Sequence, residues 1–138
     1  MYRCHYGSYV NPNQNASAKW SATTDLDVYY SCSGNNITTR AGNYGNTGWA
    51  GNSYICTTGG CSSVYAFQFT YISCEAQSNT YFLSAYTDAK RQMVATHELG
   101  HCWSLNHNSR TTSVMQASTS ATILNPDSGD ISDVNNRY

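Results

Sequence analysis

Charged side chains are scarce, at 11% of the 138 positions, with 7 Lys plus Arg against 8 Asp plus Glu and a formal net charge of -1. No basic stripe exists that could neutralise a phosphate backbone, so nucleic acid is not an expected partner. Nor does any apolar run approach the roughly 20 residues needed to cross a bilayer, and the opening MYRCHYGSYV lacks the apolar core of a secretory leader. No membrane association is expected, and the chain reads as a mature or recombinant form acting as a monomer. No Cys-x-x-Cys pair is present either, which removes the usual thiolate arrangement for a structural zinc.

What the chain does hold is 40% hydrophobic residues with 12 Tyr, enough for one packed interior with many half-buried hydroxyls. Residues 1–138 are expected to form a single domain, since a second would have no core of its own. Six cysteines in so short a chain suit an oxidising compartment, so the protein is expected to be secreted and extracellular. The favoured bridge is Cys56 with Cys61, because Thr57-Thr58-Gly59-Gly60 can turn the chain back on itself. Cys4 with Cys32 and Cys74 with Cys102 are one way to pair the rest, tying a first strand and a later helix to the sheet.

Along the chain, Asn11 to Thr23 reads as a first helix entered near Pro12, and Leu26 to Tyr30 as a strand. Ser33 to Gly60 is rich in Gly, Asn, Ser and Thr and reads as long surface loops anchored at Trp49 and Ile55. Val64 to Ser73 and Tyr81 to Tyr86 alternate aromatic and small polar residues, as strands do. From a cap at Thr87 or Asp88 the period changes to that of a helix running through Trp103, with Ala89, Met93, Val94, His97, Leu99 and His101 toward the interior. A polar loop from Asn106 to Thr112 follows. Pro126-Asp127 opens a last helix with Ile131, Val134 and Tyr138 as its apolar stripe.

The chemistry is concentrated in His97-Glu98-Leu99-Gly100-His101. On a helix, the i, i+4 spacing turns both imidazoles to one face, one turn apart. Glu98, about 100° further round, is placed to reach a water beside a metal rather than the metal itself. A catalytic zinc takes three protein ligands and keeps a position open, and His107, beyond the helix, is the candidate for the third. Such a pentapeptide alone could be an ordinary helix with hydrogen-bonded histidines. Yet three of the 4 His and one of the 2 Glu fall within eleven positions at ligand spacing. His5 lies far from this cluster and is read as a strand or surface histidine.

Extended to His107, the segment H-E-L-G-H-C-W-S-L-N-H resembles the HExxHxxGxxH zinc signature of the metzincin metallopeptidases. Met115, in Ser113-Val114-Met115, resembles the methionine turn beneath the metal in that family, at a matrixin-like distance from His107. The closing Asp130-Ile131-x-x-Val134-x-x-x-Tyr138 is similar to the end of a matrixin catalytic domain, and the length is similar to that of the minimal, snapalysin-sized bacterial branch. Only His97 to Met115 is specific. The chain departs from the signature at Ser104, where the family has Gly, so the sharp turn is expected at Ser104 or at Asn106.

The resemblance implies an α+β metzincin-like fold: a mixed, twisted sheet, an active-site helix, and a small C-terminal subdomain with a terminal helix. It implies one catalytic zinc on His97, His101 and His107, Glu98 as general base, and hydrolysis of a protein or peptide substrate lying along a sheet edge. Specificity would come from Gln116 to Ile123. Structural calcium is also implied, with Asp25, Asp27 and Asp88 as oxygen donors, although such Asp residues ordinarily cap helices or face solvent. The rival expectation is a secreted, disulfide-bridged binding or adhesion module with a non-catalytic metal site, which would have no need of Glu98.

Overall fold

The fold is described from a computed structural model, which describes residues 2–34, 36–63, 72–118 and 120–138. Its elements in chain order are β1 (Tyr2–Gly7), α1 (Val10–Thr23), β2 (Tyr29–Tyr30), β3 (Ile37–Gly42), β4 (Gly51–Thr57), β5 (Gly60–Ser62), β6 (Ser73–Asn79), α2 (Thr80–Leu83), α3 (Asp88–Cys102) and α4 (Ser128–Asn135). The described strands form one sheet in the order β2-β1-β3-β6-β4-β5. The first four run parallel to their neighbours, while β4 is antiparallel to β6 and β5 antiparallel to β4. The fold is therefore α+β with a mixed sheet, as the sequence suggests.

The strands carry few large apolar residues. Ile37, Thr39 and Ala41 of β3, Cys74, Ala76 and Ser78 of β6, and Ser53 and Ile55 of β4 are buried, in the alternation that puts one face of a strand inward. Small side chains on that face let α1 and α3 come close to the sheet and to each other. Trp20 of α1 fills the space between the two helices, fully buried, with its indole N–H donating to the Thr96 carbonyl of α3 at 2.9 Å. The other face is polar: Arg40 pairs with Glu75 at 2.9 Å, and Asn52 donates to Gln77 at 2.8 Å.

Three expectations need correction. Ser33 to Gly60 is not a run of loops, because it contains β3 and β4, where Ile37 and Ile55 are the only large inward residues and Thr39, Ala41 and Ser53 fill the other inward positions. Tyr81 to Tyr86 is not a strand: Asn79 accepts the Tyr81 N–H through its side chain and starts α2, with Tyr81 and Tyr86 left exposed. Leu26 to Tyr30 shrinks to the two residues of β2. The strand expected over Val64 to Ser73 lies outside the described residues up to position 71, and Ser73 begins β6.

The helices agree more closely. The α1 helix begins at Val10, with Pro12 in its first turn, where a missing N–H leaves no helical bond unmade. Thr87 caps α3, its side chain accepting the Lys90 N–H. The α4 helix opens on a reciprocal box, Asp127 accepting the Asp130 N–H at 2.8 Å and Asp130 accepting the Asp127 N–H at 3.1 Å. It buries Asp130 and Val134, whereas Tyr138 lies past its end and is exposed. Disulfides join Cys4 to Cys32, Cys56 to Cys61 and Cys74 to Cys102, and none of the six cysteines is free. Cys56 and Cys61 face each other across the β4–β5 hairpin. Cys74–Cys102 ties the last residue of α3 to β6 in the middle of the sheet.

Candidate metal centre

His97 and His101 leave the same face of α3, and the chain then has to return His107 to them. It does so through a tight helix end. Ser104 takes φ 68°, in the left-handed region that favours glycine. The Leu105 N–H bonds the Gly100 carbonyl at 3.0 Å and the Ser104 N–H the His101 carbonyl at 2.9 Å, the paired bonds of a Schellman terminus. The turn thus falls at Ser104, where the family signature has Gly, rather than at Asn106. A left-handed residue with a side chain costs about 1 kcal/mol relative to glycine.

The three Nε2 atoms converge: 3.1 Å from His97 to His101, 3.1 Å from His97 to His107 and 3.2 Å from His101 to His107. Two of the rings have their protons placed by carbonyls, which can only accept. His97 Nδ1 donates to Val114 O at 2.8 Å, and His101 Nδ1 donates to Leu105 O at 2.8 Å. Both Nε2 atoms therefore present lone pairs to a common point. Burial opposes protonation there, lowering His97 to about 4 and His101 to about 3, with neighbouring imidazoles adding to the effect, while His107 is lowered by burial. Lone pairs this close call for a cation between them. The separations approach the roughly 3.3 Å between two imidazole nitrogens that each lie about 2.05 Å from one tetrahedral ion. His97, His101 and His107 could thus hold a metal ion.

Glu98 stands next to this group and is almost wholly buried. Ser53 of β4 donates to its Oε2 at 2.6 Å, and the same hydroxyl lies 2.9 Å from the Glu98 carbonyl. Burial pushes the carboxyl up to about 7, with the Ser53 hydrogen bond pulling the other way. The close approach of β4 to α3 depends on Gly51, where a Cβ would fall 2.7 Å from Val94 Cγ1 and 2.8 Å from Glu98 Cγ. His97, Glu98 and His107 open together into a pocket of about 370 Å³, whose other walls are Gly48–Gly51, the first half of α3 and Gln116–Ser118.

Met115 is fully buried beneath the helix, and its Sδ occupies the space that a Cβ on Gly100 would need. The turn that carries it is held by Asp130, which is fully buried. Its Oδ1 accepts from Ser113 Oγ at 2.6 Å and from Arg110 at 2.6 Å, and its Oδ2 accepts the Val114 N–H at 3.1 Å. Asp130 thus braces the residue whose carbonyl orients His97. Sequence reasoning placed Asp130 only in a terminal pattern and missed Ser53, for which no sequence signal exists.

Asp25, Asp27 and Asp88 do not come together as a cluster of ligating side chains among the described residues. Asp88 sits in the first turn of α3 and pairs with Arg91 at 2.8 Å. His5 is buried on β1, its Nδ1 2.7 Å from Thr39 Oγ1, apart from the metal group. No helix among the described residues is long and apolar enough to cross a membrane. No protein-family model matches the chain, and a search of curated proteins finds no match.

Proposed function

We propose that the protein is a zinc-dependent endopeptidase of metzincin type, secreted into the oxidising environment that its three disulfides suit. The observation that carries this reading is the convergence of three imidazoles, two of which, His97 and His107, open with the buried Glu98 into one cleft. Three neutral imidazoles with a position left open are the ligand set of a catalytic zinc. Bound there, zinc supplies Lewis acidity to a peptide carbonyl and to the attacking water.

The chain's own residues supply the rest. The carbonyls of Val114 and Leu105 keep the protons of His97 and His101 on Nδ1, so that Nε2 remains a ligand. Ser53 occupies Oε2 of Glu98, which leaves Oε1 to take a proton from water and later deliver it to the leaving amine. A carboxyl balanced near 7 does both at neutral pH. An extended peptide would lie in the pocket along Gly48–Gly51.

The test pairs Glu98→Gln with His97→Ala. The first is expected to stay folded and bind zinc, counted by elemental analysis, while cleavage of an unstructured casein substrate falls about 10²-fold to 10⁴-fold. The second is expected to lose zinc and activity together. A folded, zinc-loaded Glu98→Gln protein that cuts at the wild-type rate overturns the mechanism. A wild-type protein that binds zinc yet cuts nothing favours the non-catalytic binding module instead.

A further inference from the structure

The pocket beside Glu98 has a direction. Glu98 delivers its proton to the leaving amine, so the residue that contributes that amine, just after the scissile bond, lies on the Glu98 side of the metal group. From there the pocket runs back along α3 past Val94 and Met93 to Lys90, which lines it together with Trp49, Ala50 and Ala117. Among the described residues lining it, Lys90 is the one Lys or Arg and Glu98 the one carboxylic acid.

Resting on the endopeptidase reading, we propose that Lys90 makes this pocket select an acidic side chain, glutamate above aspartate, at the position following the cleaved bond. Lys90, Val94 and His97 follow each other at i, i+4 and i+7, which keeps them on one face of α3. Seven residues of helix place Lys90 about 10 Å from His97 along the axis. A glutamate side chain entering from the metal end has one methylene more than aspartate with which to approach the ammonium.

The ammonium is also held in place. Lys90 Nζ donates to Ala121 O at 3.1 Å and lies 3.8 Å from Met93 Sδ, which accepts the Ile123 N–H at 3.2 Å. These contacts keep the charge against the pocket wall, so less ordering is needed when a carboxylate arrives. Met93, Val94 and the alanines suit the aliphatic stem of glutamate. A lysine or arginine at the same substrate position meets like charge.

The experiment uses zinc-loaded protein and matched peptides differing only at the residue after the cleaved bond, Glu, Asp, Gln or Lys. The wild type is expected to show kcat/KM for Glu about fivefold to tenfold above that for Gln, with Asp between them and Lys lowest. Raising salt from 0.05 to 0.5 M should shrink the Glu to Gln ratio, as expected of a partly exposed charge pair. In Lys90→Met the ratio should fall to about one, and in Lys90→Glu the order of Glu and Lys should reverse. Cleavage without an acidic preference, or a preference that survives Lys90→Met, overturns the assignment and leaves the peptidase reading standing. A wild-type protein that cuts none of the peptides and no casein overturns both.

Discussion

Ser53 on β4 donates a 2.6 Å hydrogen bond to Oε2 of Glu98 on α3, across a sequence separation of 45 residues. This contact works against burial at the proposed general base. Replacing Ser53 with Ala removes the hydrogen bond that holds the Glu98 carboxyl down against burial. Its ionisation is then expected to move above 7, and the acid limb of kcat/KM to shift to higher pH in a pH–rate profile. A profile that does not move would show that Ser53 has no hold on the base.

Asp130 is a positioning residue for His97, reached through Val114. Asp130→Asn keeps the size but cannot accept at both oxygens, so the turn carrying Met115 loses part of its brace. Zinc affinity is expected to fall about 10-fold to 100-fold, the usual cost of disturbing a partner behind a ligand, measured by competition with a chromogenic chelator. Denaturant unfolding should show a loss of about 2 kcal/mol, within the range for a buried acceptor that leaves donors unpaired.

The metal-free protein should be most stable near neutral pH. His5 and His97 are lowered from 6.5 to about 4 and His101 to about 3, so below 6.5 the unfolded chain binds protons that the folded chain refuses. Stability is therefore lost as pH falls from 6.5 toward 4. Glu98 acts with the opposite sign: raised from 4.5 to about 7, it favours the fold while protonated, and that contribution is lost as pH rises through 7. Three histidines outweigh one carboxyl on the acid side. Summed, the histidine gains still exceed the Glu98 loss at pH 7, so thermal melts of chelator-treated protein should rise from pH 4 and level off between pH 7 and 8, and a melting temperature that is flat from pH 4 to 7 would contradict the histidine shifts.

The Cys74–Cys102 bridge encloses a sequence separation of 28 and ends one residue past His101. Chain-entropy reasoning gives it about 3.5 kcal/mol of stability. The Cys74→Ser, Cys102→Ser pair should lower the melting temperature markedly, while kcat per bound zinc at low temperature changes much less. Loss of turnover without loss of stability would mean that the bridge acts on the site directly.

The three-histidine group was legible in the sequence because its members are local: HELGH fixes two imidazoles by helical geometry alone, and His107 follows six residues after His101. The disulfide-rich character and the long helix were legible for similar reasons. The sheet was harder to see. Thr39, Ala41, Ser53, Ala76 and Ser78 are buried strand residues, yet none carries the bulk by which strands are recognised, since what buries them is the close approach of α1 and α3. Tyr81 to Tyr86 misled in the opposite way, with strand-like alternation overridden by the Asn79 cap. Ser53 and Asp130 act on the site from 45 and 33 positions away from Glu98 and His97, and a partner at that range leaves no spacing to read.

The helix end at Ser104 sets an order of assembly. His97, His101, Leu105 and His107 lie within eleven residues, so closing them around a cation needs one helical turn and one reversal, steps that take microseconds or less. Glu98 reaches its finished environment only when β4, paired through β6 into the sheet, brings Ser53 against it. Such long-range pairing is slow. During refolding, the histidine group is expected to close before Ser53 reaches Glu98, so on the proposed reading the ion would be captured before the general base is in place.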